Sequence, residues 1–156
     1  MILTTHILSG AALGANIQNP YAVAALSIVL HFLLDILPHG DYLNKKSRLW
    51  EFWKVAVDLA FGFALIGGII FFRSITDEST LRNISVGIFF SLLPDGTTFL
   101  YFWMKMKFLK PIKNFHEKLH CYKNGAPERE FRLENNLFDI FFTLASLLLL
   151  LFWRMS

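Results

Sequence analysis

His31 and Asp35 stand four residues apart in the stretch HFLLDILPHGDY, an otherwise apolar run that ends in a second histidine and a second aspartate, His39 and Asp41. On a helix an i, i+4 pair shares one face with Cβ atoms about 6 Å apart, so this imidazole and carboxylate can meet one cation. Imidazole and carboxylate are the ligands expected for zinc and similar divalent ions, and a site that keeps a position open for substrate collects its ligands from several elements. The same chemistry is carried by His6, Asp58, Asp95 and the pair His116 and His120. Duller roles compete at each position. His31 with Asp35 can lock two helices, His39 and Asp41 can shape a polar turn, and Asp58 can pair with Lys54 one turn earlier. Asp139, which can pair with Arg132 or cap a helix, is left out of the candidate set.

The pair at 116 and 120 lies in HEKLH, which fits the HExxH pattern. In that pattern two histidines bind zinc from one helical face and the glutamate serves as general base. Glu117 is therefore one candidate base and Asp41 another. Lys118 inside the motif and the lysines around it set this stretch apart from an intramembrane protease helix, which would bury the motif among apolar residues.

What must position these side chains is a set of membrane helices. The chain has 156 residues, 54% of them hydrophobic, with 17 Phe and only 17% charged, which is too oily for an ordinary soluble domain of this size. Apolar runs at Tyr21–Leu37, Val55–Phe72, Ile84–Trp103 and Leu137–Trp153 approach the roughly 17 to 25 residues that cross a bilayer, and Ile2–Ile17 is a shorter fifth. The expected fold is all-α, a polytopic bundle of four or five membrane helices. It forms a single integral membrane domain over residues 1–156, with a large basic cytoplasmic loop at about 105–136. The N-terminal run lacks the basic flank of a signal peptide and is expected to stay as a helix. The single cysteine, Cys121, excludes an intramolecular disulfide and a cysteine zinc site.

Basic residues fall where topology would put them. Lys45, Lys46, Arg48 and Lys54 lie between the second and third runs, and eight more Lys and Arg lie from Lys105 to Arg132. Two crossings between them place both segments on one side, cytoplasmic by the positive-inside tendency. The net charge of +3 thus reads as lipid contact and orientation rather than as nucleic-acid binding. The same topology carries the five histidines and Asp35, Asp41, Asp58 and Asp95 to that face. A short internal echo, LSIVLHFLLDILPHGDYL at 26–43 against ISVGIFFSLLPDGTTFL at 84–100, adds the expectation that a helix breaks at each Leu-Pro.

Taken together, THILSGAALG, HFLLDILPHGDY, SLLPDG and the paired His116 and His120 resemble the bacterial and archaeal family of membrane-bound metal-dependent hydrolases, over most of residues 4–120. The HxxxD pattern is similar in turn to ligand helices of zinc-dependent phospholipase C, an all-helical fold. The resemblance implies His6, His31, Asp35, Asp95, His116 and His120 as metal ligands; Asp58 is added from the residues themselves. LPDG lacks the second acid of the LPDxD form, and HEKLH stands where HRxxTHS is common. The expected function is metal-dependent hydrolysis of a phosphoester such as a phospholipid, at the cytoplasmic face of a prokaryotic plasma membrane. One or more divalent ions, zinc first, would be the cofactor, membrane lipid the partner, and Asp41 or Glu117 the base. The alternatives are an intramembrane metalloprotease using HEKLH and a non-catalytic metal-binding or structural membrane protein.

Overall fold

The computed structural model describes residues 1–42, 47–119 and 132–152. Six α-helices account for most of them, and no strand occurs among the described residues. Asn19 starts the second helix, its side chain accepting the Tyr21 and Ala22 amides, with Pro20 in the first turn where its missing N–H costs nothing. That helix, α2 (Pro20–Ile36), ends just before Pro38, as the first Leu-Pro signal predicts.

The second Leu-Pro does not act this way. Helix α4 (Glu78–Trp103) runs through Pro94 for another nine residues, which corrects the expected break. Proline removes one ladder bond and crowds the preceding turn, yet packing of α4 against its neighbours outweighs that local cost. Thr97 and Thr98 fold their hydroxyls back onto the Pro94 carbonyl at 2.7 and 3.2 Å.

Helix α1 (Leu3–Asn16) is the centre of the fold. Eleven of its fourteen residues are buried, many of them small, and it packs on α2, α3 (Trp53–Phe72), α4 and α6 (Leu137–Phe152) at once. At about 21 Å it is too short to cross a bilayer unaided, so it works as an internal strut. The closest approach is to α4: a Cβ on Gly87 would fall on the Gly10 carbonyl oxygen, and one on Gly14 would fall on the Asn83 carbonyl. Only glycine lets two helix backbones meet there.

Polar contacts at both ends fix direction. Asn83 donates to the Ile17 and Gln18 carbonyls at the far end of α1, and Arg73, at the end of α3, donates to the Leu150 and Leu151 carbonyls at the end of α6. At the near end Asp58 and Asp139 reach the first residues of α1. Hence α1, α3 and α6 start at one end of the bundle, and α2 and α4 finish there. The core is aliphatic and small, with Ile7, Leu8, Ala11, Ile66, Ile88 and Leu150 among its members. Large apolar side chains such as Leu33, Phe61, Phe71, Phe141 and Leu148 point outward instead. Two stretches, Trp50–Phe72 and Glu78–Trp103, are long and apolar enough to cross a membrane, while α2 and α6 are shorter apolar helices. After α4 the chain turns through Lys105, in left-handed conformation, into the short helix α5 (Lys110–Leu119).

Candidate metal centre

The near end of the bundle gathers the candidate residues. Asp35, in the last turn of α2, is fully buried, and each carboxylate oxygen faces different partners. Oδ1 lies 2.8 Å from the Met1 nitrogen and 3.2 Å from His6 Nε2. Oδ2 lies 3.0 Å from both His31 Nε2 and His116 Nε2. The two imidazole nitrogens are 3.2 Å from each other, and His116 Nε2 is 3.7 Å from Asp95 Oδ1. One ligand atom from each of His31, Asp35, Asp95 and His116 fits within 4.8 Å of all the others, so this group could hold a metal ion.

Two physical tests support the fit. A tetrahedral ion with arms of 2.0 to 2.1 Å sets its ligand atoms about 3.3 Å apart; four of the six separations, 3.0, 3.0, 3.2 and 3.7 Å, scatter around that figure, and all six are within 4.8 Å. The tautomers are also set. His31 Nδ1 is 2.7 Å from the Ser91 carbonyl oxygen, which can only accept, so the proton sits on Nδ1 and the Nε2 lone pair faces the cluster. His116 Nδ1 is 2.8 Å from Thr98 Oγ1, and when the Thr98 proton goes to the Pro94 carbonyl at 3.2 Å the hydroxyl accepts from Nδ1–H, which gives His116 the same orientation. Two imidazole lone pairs at 3.2 Å repel unless a cation or a proton lies between them.

The four candidate ligands come from three helices. His31 and Asp35 share one face of α2 by their i, i+4 spacing, Asp95 follows Pro94 on α4, and α5 turns His116 inward. His6, on α1, stacks on His31 with ring centroids 4.2 Å apart; its Nε2 faces Asp35 Oδ1, and its Nδ1 is buried with no hydrogen-bond partner among the described residues. Of the four ligand side chains only that of Asp95 is appreciably open, at 29%. That side is the approach to the site.

Other candidates have different placements. Asp58 holds the start of α1: it accepts the Leu3 amide at 2.7 Å, the Thr4 amide and hydroxyl, and the Tyr42 hydroxyl at 2.8 Å. A carboxylate at a helix N-terminus meets both unpaired amides and the positive end of the dipole, and Asp58 stands outside the four-residue group. Lys54 turns to Glu51 and the Tyr42 carbonyl. Burial, with Asp58 beside it, pushes the Tyr42 phenol up.

Asp139 completes the same cap from α6, accepting the Ile2 amide, the Thr5 hydroxyl and the Asn136 side chain. Asn136 also ties down the loop after α2 through the Gly40 carbonyl. In that loop Asp41 Oδ1 lies 3.5 Å from His39 Nε2. Burial, then the nearby Met1 amine, pushes the His39 imidazole below its usual range. Glu117 pairs with Lys113 at 2.5 Å, about 100° around α5 from His116. His120 lies outside the described residues.

The sequence reading missed Thr98 and the Ser91 carbonyl, which orient the two histidines. A threonine four residues after a proline was the only available signal for Thr98. No family model, curated protein or solved structure matches the chain.

Proposed function

We propose that the chain is a polytopic membrane protein whose metal centre hydrolyses a phosphoester, with a phospholipid at the cytoplasmic face of a prokaryotic plasma membrane as the substrate class. The observation that carries this reading is the spacing of His31, Asp35, Asp95 and His116 around one buried point at one end of the bundle. His6 beside them, its Nε2 turned to the same Asp35 carboxylate at 3.2 Å, supports a further ligand. Large apolar side chains on the outside of the helices favour a lipid surround, since soluble proteins rarely expose so much contiguous apolar surface. Among the described residues, Arg48 and Lys54 at the start of α3 and the five lysines from Lys105 to Lys118 after α4 lie toward the site end, which favours a cytoplasmic site.

Zinc is the first choice for a set of two imidazoles and two carboxylates. When bound, a divalent ion supplies a Lewis acid that polarises a phosphoryl oxygen and makes water a stronger nucleophile near neutral pH. The chain's own groups do the rest. Ser91 and Thr98 hold the histidines in the binding tautomer, the open side of Asp95 admits the headgroup, and Asp41 accepts the proton. Glu117, paired with Lys113, is the weaker candidate base, and with it the protease reading loses support.

A structural reading keeps one observation in its favour: Asp35 already has hydrogen-bonding partners on both oxygens. Metal analysis of detergent-purified protein separates the two. Wild type should carry divalent metal and release phosphate or diglyceride from a phospholipid, His31→Ala should lose metal and turnover together, and Glu117→Gln should keep its metal. Protein that binds no divalent ion would reduce the cluster to a packing device.

A further inference from the structure

Helix α5 carries more apolar surface than the bundle covers. Leu109 and His116 face inward, but Phe108, in the 3-10 turn that leads into α5, and Ile112 and Phe115 on the helix itself are 76%, 45% and 53% exposed. Phe115 meets the edge of the bundle at Phe32, the two rings 5.2 Å apart. Around these three side chains the charge is one-sided. Residues 105–119 hold five lysines and one glutamate, Glu117, and that glutamate is engaged by Lys113. Lys105, Lys107, Lys110 and Lys118 are exposed.

We propose that α5 docks on an anionic lipid surface, with Phe108, Ile112 and Phe115 entering the acyl boundary and the exposed lysines meeting the headgroups. An apolar stripe flanked by lysines is the pattern of a helix lying in the plane of a membrane interface, and each lysine near an anionic leaflet adds attraction that falls off within a Debye length. The charge selects the occupant: a second copy of this chain would bring the same lysines face to face, whereas an anionic leaflet complements them. Because α5 also carries His116, the docked helix holds one ligand of the metal centre and leaves the Asp95 side toward the headgroup layer. The inference rests on the membrane reading above but not on metal or turnover.

The test is amide hydrogen exchange on the full chain in nanodiscs of phosphatidylcholine alone or with about a third phosphatidylglycerol. Amides of residues 110–119 should exchange about tenfold more slowly in the anionic discs, and salt at about 0.5 M should remove most of the difference. Two double variants, Phe108→Ser with Ile112→Ser and Lys107→Gln with Lys110→Gln, should each abolish it. Both replace exposed side chains, so the bundle amides of α1 and α4 should keep their wild-type protection and report intact folding. Equal protection in both discs would overturn the proposal, as would protection that follows protein concentration instead of lipid charge. Neither readout uses the metal, so a failed metal analysis and a failed docking test are distinguishable.

Discussion

Thr98→Val is the sharpest probe of the candidate metal centre because it removes one hydroxyl, with its contacts to His116 and Pro94, and almost no volume. In the wild type Thr98 Oγ1 sits 2.8 Å from His116 Nδ1, a near-ideal separation, and passes its own proton to the Pro94 carbonyl. Valine leaves Nδ1–H against a methyl group in a place where His116 is only 3% exposed. An unsatisfied buried donor costs about 1 to 3 kcal/mol. Metal-free protein can escape this by moving the proton to Nε2, which already lies 3.0 Å from Asp35 Oδ2. Metal-bound protein cannot, because Nε2 must keep its lone pair for the ion. The cost therefore falls on binding, as a loss of about 10- to 100-fold in affinity, the usual effect of removing such a partner. Thr97→Val is the control, since Thr97 donates to the same Pro94 carbonyl at 2.7 Å but has no hydrogen bond to a histidine among the described residues. Competition of purified protein against a chromophoric zinc chelator measures both. Equal affinities in the two variants would refute the assigned tautomer and, with it, the role given to Thr98.

Asp35→Asn should abolish tight metal binding, whereas Asp139→Asn, which weakens the cap on α1, should keep its metal and lose about 1 kcal/mol of stability; metal content and thermal melts separate the two. Gly87→Ala should prevent α1 and α4 from closing, costing more than about 2 kcal/mol, while Gly68→Ala, whose new methyl meets nothing within 4 Å, should be neutral or stabilising by up to about 1 kcal/mol, as chemical denaturation in detergent would reveal. Asp77, the N-cap of α4, is held at about 2 by hydrogen bonds from Ser79 and Thr80. Its folded value lies below the ordinary 3.8, so its contribution is fully present above that pH and disappears as pH falls through about 2. Melting temperatures of wild type and Asp77→Asn should accordingly converge over that interval.

The ligand types were readable because they break a pattern. An imidazole and a carboxylate at i, i+4 inside an apolar run share a face under simple helical geometry, and His31 with Asp35 needed nothing more. Asp95 and His116 were reachable only through topology, as residues that alternating helices carry to one end of the bundle. Three features were hidden, each for a physical reason. The continuation of α4 through Pro94 depends on packing against α1, and a local rule about proline carries no term for that contact. Asp58 looked like a ligand because its identity and position fit one, yet the amides it satisfies belong to α1, more than fifty residues away. The central place of α1 was obscured by its composition. Read alone, its glycines, alanines and serines describe a weak and short membrane helix; surrounded by four others, the same small residues admit close backbone contact with α4 and place His6 against His31 and Asp35. Residues that bind a cation are recognisable by type, but the residues that aim them are recognisable only by contact. That is why Thr98, an ordinary helical threonine in sequence, tests the site more sharply than the ligands themselves.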